Sequence, residues 1–212
     1  MNITIFGATG QVGRRVLDEA MLRGHQVTAV SRSAVAHVAV DSTSWETGDA
    51  RVPDDVVRLS RGRDVVISAT SGPRSGGDEL AITADALLRG VTTTGARLIV
   101  AGGAGPLVVP GSDGRLVLDD PRFVPEPIRG VARACVDQLD ALRRSSGVDW
   151  TYFSPSADLL PGERTERFRV ARDELVVDSD GASTISFEDA AVAILDEVER
   201  PKHQRTVFTA GY

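Results

Sequence analysis

Apolar residues recur along this chain in two alternating periods. Asn2–Phe6, Gln26–Val30, Asp64–Ala69, Arg97–Ala101 and Asp149–Phe153 are short, strand-sized runs, and most are apolar nearly throughout. Runs of that kind are what a parallel sheet buries on both faces. Between them the spacing turns helical. Val12, Val16, Leu17 and Ala20 share one side of a helix that Gly24 ends, as glycine past a helix C-terminus commonly does. Further helices are predicted over Asp78–Leu88 and Ile128–Arg144, where Val131, Cys135, Leu139 and Leu142 share a face, and over Phe187–Val198.

The stretch from Gly102 to Pro127 is rich in Gly and Pro and reads as irregular, apart from a brief strand at Leu116–Leu118. A loop of that length inside a compact domain is usually functional, which makes residues 106–127 a candidate lid. After Pro155 the pattern weakens, with short strands expected at Phe168–Val170 and Glu174–Val177 and a last one at Thr206–Thr209. Strand–helix alternation of this kind predicts an α/β fold with a doubly wound parallel sheet, the Rossmann fold. No linker or internal repeat is visible, so residues 1–212 are expected to form a single domain with a small C-terminal substrate-side lobe built from the later loops.

The sharpest chemical signal stands where the first strand meets the first helix. Gly7-Ala8-Thr9-Gly10-Gln11-Val12-Gly13 spaces its glycines as G-x-x-G-x-x-G, a variant of the dinucleotide fingerprint. One glycine permits the tight turn, another lets the backbone approach a pyrophosphate, and the third lets helix and strand pack closely. The helix N-terminus then aims free amides and the positive end of its dipole at the phosphates. At the end of the second strand an NAD-binding protein wants an acidic residue to accept hydrogen bonds from the adenosine ribose. This chain has Ser31-Arg32 there, and a guanidinium suits a 2′-phosphate instead, so NADP(H) is expected over NAD(H). Arg14 or Arg15 is a candidate second partner for that phosphate.

Composition narrows the function classes. With 42% hydrophobic residues in a chain of 212, a substantial core needs neither disulfide nor metal. A formal net charge of -6 argues against nonspecific binding to nucleic acid or an anionic membrane surface, leaving a small-molecule substrate as the expected partner. Cys135 is the chain's one cysteine and cannot form an internal disulfide, which fits a reducing, cytoplasmic compartment; it reads as core rather than as a nucleophile. His25, His37 and His203 lie far apart with no metal-ligand spacing, so no metal site is expected. The opening Met1–Phe6 is strand-sized and runs straight into glycines, unlike a secretory leader, and no apolar run approaches the length of a membrane helix.

IFGATGQVGRRV, RGHQVTAVSR, GDAR, DVVISAT, LIVAGGAG, DWTYFSPS, PGERTERF and the closing FTAGY together resemble the atypical short-chain dehydrogenase/reductases. The likeness is to the NmrA-like and biliverdin reductase B-like branch of NAD(P)H-binding proteins, including the NADH-flavin reductase type, and it runs nearly end to end. The resemblance implies that Gly7, Thr9, Gln11 and Val12 cradle the pyrophosphate, with Gly10 and Gly13 completing the motif. It implies further that Arg32 meets the 2′-phosphate and that Asp49 and Ala50 flank the adenine. Ser68, Ala69 and Thr70 would lie under the nicotinamide ribose, and Ser154, Pro155 and Ser156 would border the nicotinamide ring and the substrate pocket.

The chain departs from the wider family where its acid–base chemistry would be. A Tyr-x-x-x-Lys pair needs a lysine four positions after a tyrosine; the chain has one lysine, Lys202, and neither Tyr152 nor Tyr212 precedes it at that spacing. The family's GGAGSL reads Gly102-Gly103-Ala104-Gly105-Pro106-Leu107, which removes a serine near the expected pocket. Ser112, Asp113, Tyr152 and Ser154 remain as candidate donors, and the catalytic residue stays open. A flavin or quinone takes up hydride readily and draws its proton from solvent, so such an acceptor tolerates the missing pair. The expected function is therefore an NADP(H)-dependent reductase of a small planar acceptor, with a non-catalytic NAD(P)-binding sensor as the alternative. A sugar-nucleotide epimerase is weakened, since those relatives usually keep the tyrosine and a larger lobe. A pocket framed by Gly- and Pro-rich loops is one a second copy could complete, which makes a homodimer a further expectation.

Overall fold

The computed structural model describes residues 1–33, 43–73 and 75–212. Among them, strands β1 (Asn2–Phe6), β2 (Gln26–Ser31), β3 (Thr43–Thr47), β4 (Val65–Ser68), β5 (Arg97–Ala101), β6 (Trp150–Phe153), β8 (Arg169–Ala171) and β10 (Thr206–Gly211) form one sheet in the order β3-β2-β1-β4-β5-β6-β10-β8. Every neighbouring pair is parallel except β10 with β8. A separate parallel pair, β7 (Asp158–Leu160) with β9 (Thr184–Ser186), belongs to the later loops.

Alternation along the central strands divides the core into two layers, because successive side chains leave a strand on opposite faces. Val66, Leu98, Val100 and Tyr152 pack with Val56, Leu87, Val136 and Leu139 of helices α2 (Pro53–Ser60), α3 (Glu79–Thr94) and α4 (Arg129–Arg144). Ile3, Ile5, Ile67, Ile99 and Phe153 pack the other way, on Val16 and Leu17 of α1 (Gln11–Leu22) and Ile194 and Leu195 of α5 (Phe187–Glu199). Thr4 is fully buried within this apolar setting and spends its hydroxyl on the Leu59 carbonyl at 2.6 Å.

Several expectations need correction. Leu116–Leu118 is not a strand: Val117–Asp119 is a 3₁₀ turn, and Leu116 makes only a single bridge to Val108. Glu174–Val177 likewise contributes only a bridge at Glu174. β3 and α2 escaped the sequence reading for physical reasons. β3, Thr-Ser-Trp-Glu-Thr, is a largely exposed edge strand without an apolar run, and α2 is a single eight-residue amphipathic stretch begun by Pro53. The long segment 106–127 is not a free lid, since Leu107, Val109, Val117, Leu118 and Val124 are buried in the core beside α4.

Candidate functional site

The order of the strands reverses at β1, whose neighbours are β2 on one side and β4 on the other. In open α/β sheets ligands bind at such a switch point, outside the carboxyl ends of the strands. Gly7, the first residue past β1, has φ +78°, and a Cβ there would lie 2.6 Å from the Ala69 carbonyl oxygen. Only glycine satisfies both conditions. The turn closes with Gly10 N–H donating to the Gly7 carbonyl at 2.9 Å, and it is tied to both neighbouring strands by Ala8 N–H to Val30 O and Ala69 N–H to Phe6 O. Gly13 allows α1 to press directly on the Gly7 carbonyl, where a Cβ would overlap it.

Among the described residues, no side chain caps the opening amides of α1. Gly10 caps it without a side chain, and its first turn holds no acidic residue. The opening N–H groups of Gln11, Val12 and Gly13 are thus available to an anion, with the helix dipole in support. Thr9 and Gly10 are exposed beside them.

A cleft of about 230 Å³ runs from this turn across the ends of β1, β2 and β4. It brings together Gly7, Thr9, Gly10, Arg32, Asp49, Ala50, Ala69 and Thr70 from the sequence reading. Arg32 is exposed there and makes no ion pair with any described residue. Asp49 is held in a fork by Arg51, with contacts of 3.0 and 3.1 Å to Nε and 2.6 Å to Nη2. That hydrogen-bonded guanidinium holds the Asp49 carboxyl below its ordinary value. Arg51 also lines the cleft, and sequence reasoning missed it although it closes the quoted GDAR.

Other expected residues lie elsewhere. Arg14 and Arg15 face a different, open groove with Asp18, Glu19 and Arg164, and Arg15 pairs with Glu188 at 3.0 Å. Gln11 spends its side-chain oxygen on Arg15 at 2.8 Å. Arg51 lines the same cleft as Arg32, whereas Arg14 and Arg15 line the neighbouring groove, which shares Thr9 and Gly10 with the cleft. Ser68 is fully buried with its Oγ 3.1 Å from Thr70 Oγ1, so it supports Thr70 from beneath.

A second cavity of about 240 Å³ adjoins the first and shares Thr70, Ser71 and Leu80 with it. Its wall is mostly apolar or glycine, including Gly102, Gly103, Phe123, Val131 and Ala157. Glycine is required because β5 ends against other elements. A Cβ on Gly102 would overlap the Tyr152 hydroxyl, one on Gly103 would come within 2.9 Å of Cys135 Sγ, and one on Gly105 within 2.5 Å of the Ala132 carbonyl oxygen.

The candidate donors are corrected by the same packing. Tyr152 is fully buried, and its hydroxyl contacts the Cys135 carbonyl at 3.1 Å and Gln138 Oε1 at 3.3 Å. Burial pushes its pKa well above the ordinary value, so it is a core residue rather than an acid within reach of a substrate. Ser112 donates to the Val109 carbonyl at 2.7 Å and accepts from Arg115 N–H at 3.1 Å, building a turn. Ser154 is fully buried and donates to the Gly103 carbonyl at 2.7 Å; neither it nor Pro155 lines the cavity, which Ala157 does. Ser156 is likewise buried and donates to Ala210 O at 2.9 Å. Cys135 lies in the cavity wall, its thiol pushed up to about 11 chiefly by burial, and stays protonated near neutral pH.

No cluster of metal-ligating side chains occurs among the described residues. His25 lies between the N-terminal amine and Glu199, and His203 pairs with Glu197; His37 lies outside the described residues. No described helix is long and apolar enough to cross a membrane.

Comparison with known proteins agrees with this fold. The model of a family described as NAD(P)H-binding matches residues 7–201. Among solved structures, a protein of Burkholderia pseudomallei named as a candidate exported protein is 39% identical, with a TM-score of 0.89 and 100% of both chains covered. A candidate epimerase from Bacteroides thetaiotaomicron is 37% identical, with a TM-score of 0.91, over 100% of this chain and 96% of that one. A candidate NADH-flavin reductase from Streptococcus pneumoniae is 30% identical, with a TM-score of 0.85, over 100% of this chain and 99% of that one.

Proposed function

Because the chain belongs to the NAD(P)H-binding family, we propose that it is an NADP(H)-dependent reductase that passes hydride to a small planar acceptor such as a flavin or quinone. The observation that carries the proposal is the pair of adjoining cavities, one polar and rich in guanidinium, the other apolar, meeting at Thr70, Ser71 and Leu80. The donors present suit the dinucleotide. The open amides of Gln11, Val12 and Gly13 take the pyrophosphate, and Arg32 takes the 2′-phosphate. Ala50 and the Asp49–Arg51 pair support the adenosine, and Thr70, braced by Ser68, faces the ribose next to the nicotinamide.

NADP(H), when bound, supplies the hydride. The chain positions the two partners beside a partly open, largely apolar cavity, in whose wall no carboxylate, histidine or lysine stands among the described residues. An acceptor there must therefore bring its proton from solvent, which a quinone or flavin does on becoming the hydroquinone or the reduced flavin. The same lack of an acid weighs against epimerase chemistry, despite the name of the Bacteroides relative. It also favours one second reading, a sensor that binds NADP(H) without turnover.

Titration with NADPH and NADH, followed by NADPH consumption with FMN and with menadione, tests the proposal. Tighter NADPH binding with consumption supports it. Equal binding of the two cofactors removes the role of Arg32, and binding without consumption favours the sensor.

A further inference from the structure

The two adjoining cavities differ in charge more than in size. Arg32, Asp49, Arg51 and Glu79 line the first, whereas no charged side chain lines the second among the described residues. Two guanidiniums that stand next in sequence to its wall are already engaged. Arg122, beside Phe123, lies over that ring at 5.2 Å and pairs with Asp120 at 2.7 Å; Arg129, beside Ile128, pairs with Asp119 at 3.1 Å. Asp120 is itself buried, so drawing Arg122 away would deprive a buried carboxylate of its bonded cation. Space sets a second limit. The second cavity measures about 240 Å³, below the roughly 300–1,000 Å³ of pockets that enclose a drug-sized ligand. Hydride transfer brings the reacting atoms to about 3–3.5 Å, so an acceptor reduced there shares this volume with the nicotinamide ring.

We propose that the acceptor is an uncharged quinone of one or two rings and not a flavin nucleotide. This rests on the reductase reading, which left the choice between the two open. A flavin nucleotide brings a phosphate, for which the described wall offers no cation. It also brings a third ring whose pyrimidine edge carries an N–H and two carbonyls in need of partners. A quinone brings two carbonyl oxygens on an otherwise apolar frame, which the glycines of the wall and Phe123, Val124, Val131 and Ala132 cover. In the balanced step the quinone gains the hydride as the nicotinamide C–H bond breaks, leaving NADP⁺. The resulting hydroquinone anion takes one proton from solvent, so no protein acid enters.

The test is binding of four probes to the protein–NADP⁺ complex: menadione, 1,4-naphthoquinone-2-sulfonate, lumiflavin and FMN. The sulfonate keeps the two rings and adds a fixed negative charge; lumiflavin keeps the three flavin rings and lacks the phosphate. Menadione should bind about tenfold or more tighter than each of the others. Val131→Lys places an ammonium at a partly buried position of the wall on α4 and should narrow the menadione-to-sulfonate ratio by about tenfold. Val131→Met, which adds bulk without charge, should leave that ratio near its original value. Sulfonate, lumiflavin or FMN bound as tightly as menadione overturns the proposal whether or not the variants fold. So does a failure of menadione to bind, and so does a ratio that moves equally in the Lys and Met variants. NADPH consumption with FMN and none with menadione would overturn the quinone and leave the reductase standing. Menadione preference without NADPH consumption would overturn the reductase and leave the cavity's choice of a quinone standing as that of a sensor.

Discussion

The first turn of α1 packs so closely on the turn before it that a Cβ on Gly13 would overlap the carbonyl oxygen of Gly7. That carbonyl is also the acceptor that closes the turn, taking the Gly10 N–H at 2.9 Å. Helix packing and the shape of the glycine turn are thus set by the same atom.

Gly13→Ala is expected to push α1 away from the turn, costing about 1–3 kcal/mol of stability and weakening NADPH binding by at least about tenfold. Gly10→Ala should be milder, since its Cβ would stand 3.3 Å from the same oxygen. Thermal melting and NADPH titration of the two variants check the order; a Gly10 variant that suffers as much as the Gly13 one would contradict it.

Under the proposed NADP(H) reading, Arg32→Ala should lower NADPH affinity by about tenfold or more and leave NADH affinity nearly unchanged, because NADH has no 2′-phosphate for the guanidinium to pair with. Arg51→Ala should affect both cofactors, since it frees the Asp49 carboxylate at the floor of the cleft. The ratio of the two dissociation constants is the quantity to read. An unchanged ratio in Arg32→Ala would remove the basis for NADP(H) preference.

Tyr152→Phe should retain activity to within about threefold while losing about 1 kcal/mol of stability, the scale of one buried hydrogen bond. The pH–rate profile should not move, because the hydroxyl is buried and bonded within α4. Collapse of the rate with unchanged cofactor binding would return Tyr152 to the catalytic machinery.

Cys135 gives the protein a pH dependence of definite sign. Burial raises its thiol from 9.0 to about 11, so the folded state holds the proton more tightly than the unfolded chain. The contribution is present below the unfolded value and is lost as pH rises from 9.0 toward about 11, amounting to about 2–3 kcal/mol. Cys135→Ala should flatten the fall in Tm over that window relative to the unaltered protein. Native protein near neutral pH should also react slowly with iodoacetamide, and rapid labelling would show the thiol to be accessible.

Much of the fold is legible in the chain because it rests on local signals. Short apolar runs and period-3.6 patterns locate the central strands and the longer helices, and a glycine motif stands wedged between the first strand and the first helix. Arg32 at the end of β2 is equally local, since two residues of sequence place it at the mouth of the cleft. The errors fall where local signals are weak or misleading. Gly102–Pro127 has the composition of a loose loop, yet its scattered Leu and Val side chains find core on α4 only after the chain has folded back.

The sequence by itself determined the alternating architecture, the glycine turn between β1 and α1 and the guanidinium at the end of β2, for each depends on neighbours within a few residues. Tertiary structure alone decided which polar groups are free. Tyr152, Ser112 and Ser154 are equivalent candidates on the page of the sequence, and all three spend their hydroxyls on backbone carbonyls contributed by other segments or turns. Hydrogen bonding is a matter of a few tenths of an ångström between residues far apart in the chain, and no spacing along the sequence records it.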